Sequence, residues 1–269
     1  MLFRSVDEVA ERRLPRYAAG QLSLPMQILG SAETMEHETY WAEHSHPTHE
    51  LLWRDRGVGT VTIGTRTWTI TPPLGMWIPA GVPHSGWTPA GVVVNAAQFD
   101  VAEPPVGDAP TAVRVQPLLR LLLKRLQTLD PDSESYSLTE ALILDVMAPA
   151  EHEVLLHRPT AELLAPIVEA ILTDPGDPTS LQTWAKRLKT SSRTITRTFA
   201  AETGLGFSRW VTTARIQSAI TLIGLGCEIH DAATEVGYAS ASAFTTAFKR
   251  ITGTTPAQFR AESPTAVSV

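Results

Sequence analysis

From residue 24 to residue 100, apolar and polar positions alternate in short runs, TVTI and TWTI among them. The runs are broken by Gly57-Val58-Gly59, Gly64-Thr65 and Pro72-Pro73-Leu74-Gly75. Successive side chains of a strand point to opposite faces, so period-two alternation between closely spaced turn signals predicts an antiparallel β-sandwich or barrel. Beyond Pro104-Pro105 and Pro110 the period lengthens to three and four, and Leu118, Leu119, Leu122, Leu123 and Leu126 fall on one helical face. A second helix is expected over 137–146 and a third over 161–173, the latter stopped by Asp174-Pro175-Gly176-Asp177-Pro178. The chain beyond residue 178 reads as mostly helical. The expected fold is two-domain α+β: a β-barrel over 1–110, a helical connector over 111–160 and an all-α domain over 161–262. The connector helices either form a dimerisation element or pack on their own barrel.

Composition supports two cores, since 269 residues with 43% hydrophobic side chains exceed what one compact domain usually needs. The single cysteine, Cys227, excludes an internal disulfide and a cysteine-rich zinc site. The opening MLFRSVDEVAERRLPR is charged throughout and has no apolar core of signal-peptide type, so a soluble, cytoplasmic protein without a membrane partner is expected. Net charge is −6, unpromising for nucleic acid until it is placed along the chain. Residues 179–260 hold ten Lys and Arg against four acids, a charge of +6, while the remainder, with 12 basic and 24 acidic residues, carries −12. Phosphate would therefore be drawn to the C-terminal part.

That part contains an internal pseudo-repeat. A shift of 49 superposes Ile195 on Phe244, Thr196 on Thr245, Phe199 on Phe248, Thr203 on Thr252 and Gly204 on Gly253. A shift of 48 superposes Ala185 on Ala233 and Leu188 on Val236, so the second unit needs an inter-helix turn one residue longer. A short helix, a tight turn and a second helix ending at glycine is helix-turn-helix logic, giving units at 181–202 and 229–250. With Ile195 and Phe199 turned to the core, Ser192, Arg193, Thr196 and Arg197 lie on the outer face, where arginine can reach guanine edges. Residues 207–223 read as one rigid helix between the units, spanning about 25 Å at 1.5 Å per residue.

The segments SSRTITRTFAAETG, WVTTARIQSAITLI, IHDAATEVGYASASAFTTAFKR and TGTTPAQFR resemble the AraC/XylS family of transcription regulators over 161–262. The resemblance implies that Arg193, Thr196 and Arg197 read DNA from the first unit and Ala241, Ser242, Ala243 and Thr246 from the second. These four are short side chains, where other members carry amides or arginines, so the second unit is expected to act mainly on phosphate through Lys249 and Arg250. Arg215, in the linking helix, is expected to be an internal tether.

Five of the eight histidines fall between His37 and His84, and HSHPTHELLWRDRG followed by GMWIPAGVPH resembles the cupin superfamily. His44, His46 and Glu50 share parity and would share a face of an extended strand, with His84 joining from a later one. Three imidazoles and a carboxylate suit a transition metal (Zn, Ni, Fe, Mn or Cu); equally, they can hydrogen-bond an organic effector. His49 has the other parity and is expected outside the set. Trp41, Trp53, Trp68, Trp77 and Trp87 either line an aromatic pocket or build the core.

The reading that joins these parts is a sequence-specific transcription regulator without catalytic residues. Its partners would be double-stranded promoter DNA, RNA polymerase if it activates, a small-molecule or metal effector, and a second copy in a homodimer. The alternatives are a metal-dependent cupin enzyme, such as a dioxygenase or isomerase, with an accessory helical domain, and a barrel that only dimerises the chain.

Overall fold

The computed structural model describes residues 9–22, 28–102 and 106–262, and the chain divides into two compact units. The first is formed by the chain up to Gly64 and by Ile70–Glu153, the second by Thr65–Thr69 and Val154–Ala261. The β-rich part runs through β1 (Ala10–Arg12), β2 (Ile28–Thr34), β3 (Thr39–His44), β4 (His49–Arg54), β5 (Gly59–Ile63), β6 (Arg66–Ile70), β7 (Leu74–Ile78), β8 (His84–Thr88), β9 (Val93–Phe99) and β10 (Thr111–Arg114). Strands β10-β7-β4-β9-β2 form one antiparallel sheet; β1-β3-β8-β5 lie side by side in another, with β1 parallel to β3. This is the expected barrel-like arrangement of two sheets.

Alternation along β4 divides its two faces. Leu51 and Trp53, both fully buried, join a core with Trp77, Ala97 and Phe99, while Glu50, Leu52 and Arg54 line a cavity on the other side. That core is closed by helices α1 (Pro117–Leu126) and α2 (Glu134–Val146). Leu119, Leu122, Leu123 and Leu126 of α1 are buried in it, each contributing on the order of 1.5–3 kcal/mol. The second helix begins three residues before the expected start because the Ser133 hydroxyl accepts the Tyr136 amide and caps it. Tyr136 and Glu140 then complete the edge of β2: the Tyr136 hydroxyl donates to the Ile28 carbonyl at 2.5 Å and Glu140 Oε1 accepts the Ile28 amide at 2.9 Å.

In the second unit β11 (Leu155–His157) pairs antiparallel with β6, Leu155 opposite Trp68. A single 3₁₀ turn at Glu162–Leu164 precedes α3 (Ala165–Thr173), in place of the one continuous helix that periodicity predicts; Pro166, which lacks an amide hydrogen, stands where the turn becomes α-helix. The remaining helices are α4 (Leu181–Arg187), α5 (Ser192–Thr203), α6 (Phe207–Gly224), α7 (Ile229–Glu235), α8 (Ala241–Thr252) and α9 (Pro256–Glu262). Ile167, Ile171, Trp184, Ile195, Phe199 and Trp210 build the core around the first helix pair.

The pseudo-repeat is reproduced down to its hydrogen bonds. Ser191 and Ser240 cap α5 and α8 by accepting the amides of Thr194 and Ala243. Gly204 and Gly253 end both helices in left-handed conformation, at φ 72° and 80°, which an L side chain would strain. Just before them, Thr203 and Thr252 donate back to the carbonyls of Phe199 and Phe248. Four residues separate α4 from α5 and five separate α7 from α8, the extra residue that the two offsets require. Arg215 is a tether: Nε donates to the Pro175 carbonyl at 2.8 Å and Nη2 to that of Asp177 at 2.9 Å.

Candidate ligand cavity and nucleic-acid interface

The first unit encloses a cavity of about 480 Å³, and one wall of it is the histidine cluster. Parity on a single strand is not what assembles this cluster. Position 44 ends β3 in one sheet, position 50 lies in β4 of the other, and a turn at 45–48 separates them. Each sheet supplies a cross-strand pair: His44 stands opposite His84 on β3 and β8, and Glu50 opposite Gln98 on β4 and β9. His46 comes from the turn, where its carbonyl accepts the amide of Gly81 at 2.8 Å.

Candidate ligand atoms of His44, His46 and His84 all lie within 4.8 Å of one another. The Nδ1 of His44 lies 2.7 Å from the Ala42 carbonyl and that of His84 3.0 Å from the Val82 carbonyl. A carbonyl can only accept, so in the neutral rings Nδ1 carries the proton and Nε2 keeps its lone pair. Burial holds the pKa of all three imidazoles below the usual histidine value, which favours that neutral form. Burial pushes the Glu50 carboxyl up, opposed by His84 and His44 and by the Gln98 amide, which donates to Oε1 at 2.9 Å. Glu50 Oε2 is 3.5 Å from His46 Nε2 and 3.6 Å from His84 Nε2. Both distances exceed a hydrogen bond, yet match the edge of about 3.4 Å between two ligands on a tetrahedral ion with bonds near 2.05 Å.

His49 is outside the set, as expected: it stacks on Trp77 with centroids 5.1 Å apart, and its Nδ1 accepts the Ala80 amide. Among the tryptophans Trp41 borders the cavity, Trp53, Trp68 and Trp77 are buried, and Trp87 is half-buried with Nε1 donating to Glu38. Two cavity residues, Gln98 and Arg54, are not among the sequence candidates. Both can be found by counting in twos, from Glu50 to Leu52 to Arg54 along β4 and back from Gln98 to Ala96 along β9.

In the second unit Ile195 and Phe199 are fully buried, and Arg193 and Arg197 are exposed on the opposite side of α5. Ser192 and Thr196 are half-buried, the Thr196 methyl lying close to Gly206. Ala241, Ser242, Ala243 and Thr246 are exposed at the start and middle of α8, and Lys249 and Arg250 in its last turn. Among the described residues Arg193, Arg197, Lys249 and Arg250 have no ion-pair partner. Two capped helices thus present cations with no internal counter-charge.

Residues 24–144 match the family model described as an AraC-like ligand binding domain, and residues 184–262 match one described as a helix-turn-helix domain. The chain is 28% identical over 229 residues to the HTH-type transcriptional regulator NimR of Escherichia coli (strain K12), covering 82% of this chain and 83% of that protein. It is 29% identical over 216 residues to the HTH-type transcriptional regulator RipA of Corynebacterium glutamicum, covering 78% of this chain and 61% of that longer protein. Among solved structures, the C-terminal domain of AraT, a response regulator from Geobacillus stearothermophilus, is 29% identical, with 38% of this chain and 85% of that one covered and a TM-score of 0.35.

Proposed function

Because the chain belongs to the AraC family of transcription regulators, with an N-terminal ligand-binding domain and a C-terminal DNA-binding helix-turn-helix domain, we propose that an effector in the N-terminal cavity alters the occupancy of promoter DNA by α5 and α8. The observation that carries this is the pair of capped helices whose exposed arginines and lysine have no ion-pair partner among the described residues. Arg193 and Arg197 read base edges from α5; Ser192 and Thr196 support them. On α8, Ala241, Ser242, Ala243 and Thr246 approach the groove, and Lys249 and Arg250 meet phosphate. RNA polymerase is the further partner wherever the bound protein activates. Effector control requires the cavity to bind with different free energy in the two DNA-binding states.

His44, His46 and His84 fit a transition ion in donor type and spacing, their candidate ligand atoms lying within 4.8 Å of one another, and would hold one with Glu50 beside them. When bound, such an ion supplies a Lewis-acidic anchor for an effector oxygen or nitrogen. Both NimR and RipA are named transcriptional regulators, which favours this reading over a dioxygenase or isomerase. Among the described residues no helix is long and apolar enough to cross a membrane, and the cytoplasm is the compartment we assign.

A second copy is the proposed occupant of the outer face of α1 and α2, where Leu121 and Leu138 are 66% and 63% exposed beside Leu118 and Leu142. Leucines left to water at this density call for a partner. The test of the whole reading is salt-dependent binding of the full chain to genomic duplex fragments, with sedimentation to give its stoichiometry. Equal retention of all fragments at moderate salt would overturn it.

A further inference from the structure

Among the described residues, Arg54 is the side chain of the cavity wall whose surroundings do not account for its charge. It is 1% exposed, on the same face of β4 as Glu50 and Leu52. Nη2 donates to Thr88 Oγ1 at 2.8 Å and makes a long contact of 3.5 Å with the Trp87 carbonyl. Nε and Nη1 have no hydrogen-bond partner among the described residues. Burial lowers the guanidinium pKa to about 10, which leaves it fully charged at neutral pH. The carboxylates that share the cavity are engaged elsewhere: Glu33 forms a two-pronged pair with Arg12, and Glu50 accepts from Gln98.

A buried cation without a counter-charge is costly, and proteins keep one where something else supplies the anion. The fold also makes room for it. A Cβ on Gly59 would overlap Cζ, Nε and Nη2 of Arg54, so β5 passes the guanidinium only because residue 59 has no side chain. Leu52, with Ala96 opposite it, stands between Arg54 and Glu50, and Val61 and Val94 are further apolar residues of the wall. Positions 50 and 54 are four residue steps apart along the strand, about 13 Å.

We propose that the effector is a small organic acid, its carboxylate against Arg54 and its apolar body along Leu52, Val61 and Ala96. This rests on the reading of the cavity as the effector site. A volume near 480 Å³ is in the range that holds a small organic molecule.

The test is calorimetric titration of the full chain, with a chelator present so that no bound metal can attract the acid. The probes are hexanoate and 3-phenylpropanoate, their primary amides, and inorganic phosphate. The acids are expected to bind at least about tenfold more tightly than the amides, as charge-assisted hydrogen bonds require. Arg54→Met, which replaces the lone charge by an apolar chain of similar length, is expected to abolish that preference by weakening the acids at least about tenfold more than the amides, with circular dichroism unchanged. Amides binding as well as acids, or acids binding more weakly than about 10 mM, would overturn the proposal. So would phosphate binding more tightly than either acid, since the site would then be one for inorganic oxyanions. Should Arg54→Met not fold, the acid-to-amide comparison in the native protein still decides. Acids that bind through Arg54 without moving promoter affinity would instead overturn the regulatory reading and leave this one standing.

Discussion

Lys189 and Gly237 occupy the same point of two inter-helix turns, 48 residues apart, and both have positive φ, 52° and 80°. The residue after each donates its amide back into the preceding helix, Thr190 to Ala185 and Tyr238 to Ala233, both at 2.9 Å. The turn therefore demands the left-handed conformation, and only one unit supplies a glycine for it. At Lys189 the strain costs about 1–2 kcal/mol, against which glycine in the unfolded chain would lose about 0.5–1. Lys189→Gly is expected to be neutral or up to about 1 kcal/mol more stable. Gly237→Ala should lose about 1–3 kcal/mol, because its Cβ adds contacts of 3.1 Å with the Gly176 carbonyl and Arg215 Nη2 to the strain. Urea denaturation of both variants checks the opposite signs.

Arg197→Ala should weaken specific DNA binding by about 1–3 kcal/mol with helicity intact, and Thr246→Ala by clearly less. Fluorescence anisotropy on a selected operator is the measurement. Equal losses from the two substitutions would take α5 out of its assigned role.

The two units should read DNA unequally. Side chains as short as Ala241, Ser242 and Ala243 cannot fork onto a base, so one half of each operator is expected to tolerate substitution. Lys249→Ala should flatten the salt dependence of binding and leave sequence preference unchanged. Saturation mutagenesis that found both halves equally stringent would contradict this.

If the histidine cluster holds an ion, protein purified without a histidine tag should carry close to one transition metal per chain, and joint replacement of His46 and His84 should abolish it. Elemental analysis decides. Metal well below one per chain that is not restored by added Zn, Ni, Cu, Mn or Fe would leave the imidazoles to an organic ligand.

The metal-free protein should lose stability on acidification. His44, His46 and His84 titrate below their unfolded value near 6.5, so between the two values the unfolded chain binds more protons. Stability from this source is complete above about pH 6.5 and falls as pH drops towards the folded values, by up to about 1.4 kcal/mol per pH unit for each histidine. The raised Glu50 value acts in the opposite sense, favouring the folded state as it takes up its proton. Thermal melts from pH 7.5 to 5 should show the decline, and the double histidine variant should show less of it.

How far each feature is legible in the chain depends on the range of the interactions that make it. Serine caps, glycine stops and the back-bonding threonines Thr203 and Thr252 act within one turn of helix, so the repeat and both helix pairs can be read from sequence. Parity brings His44, His46 and Glu50 together with His84 for the wrong reason. It counts across a turn that carries the chain from one sheet to the other, and closure of the two sheets, a long-range event, is what unites them. Counting in twos puts Arg54 on the side of Glu50, but RDRG looks like a solvated turn; that the guanidinium is buried depends on the bare backbone of Gly59 and on Thr88 from another strand, which alternation does not supply.

Strand β4 serves the cavity with its even positions and the helix-covered core with its odd ones. The two sets can therefore evolve at different rates. Trimming Leu52 or Arg54 alters what is recognised without disturbing the bed on which α1 rests, whereas Leu51 and Trp53 are held by the need to keep that bed intact. A lineage of this fold can change its diet of small molecules one even-numbered residue at a time.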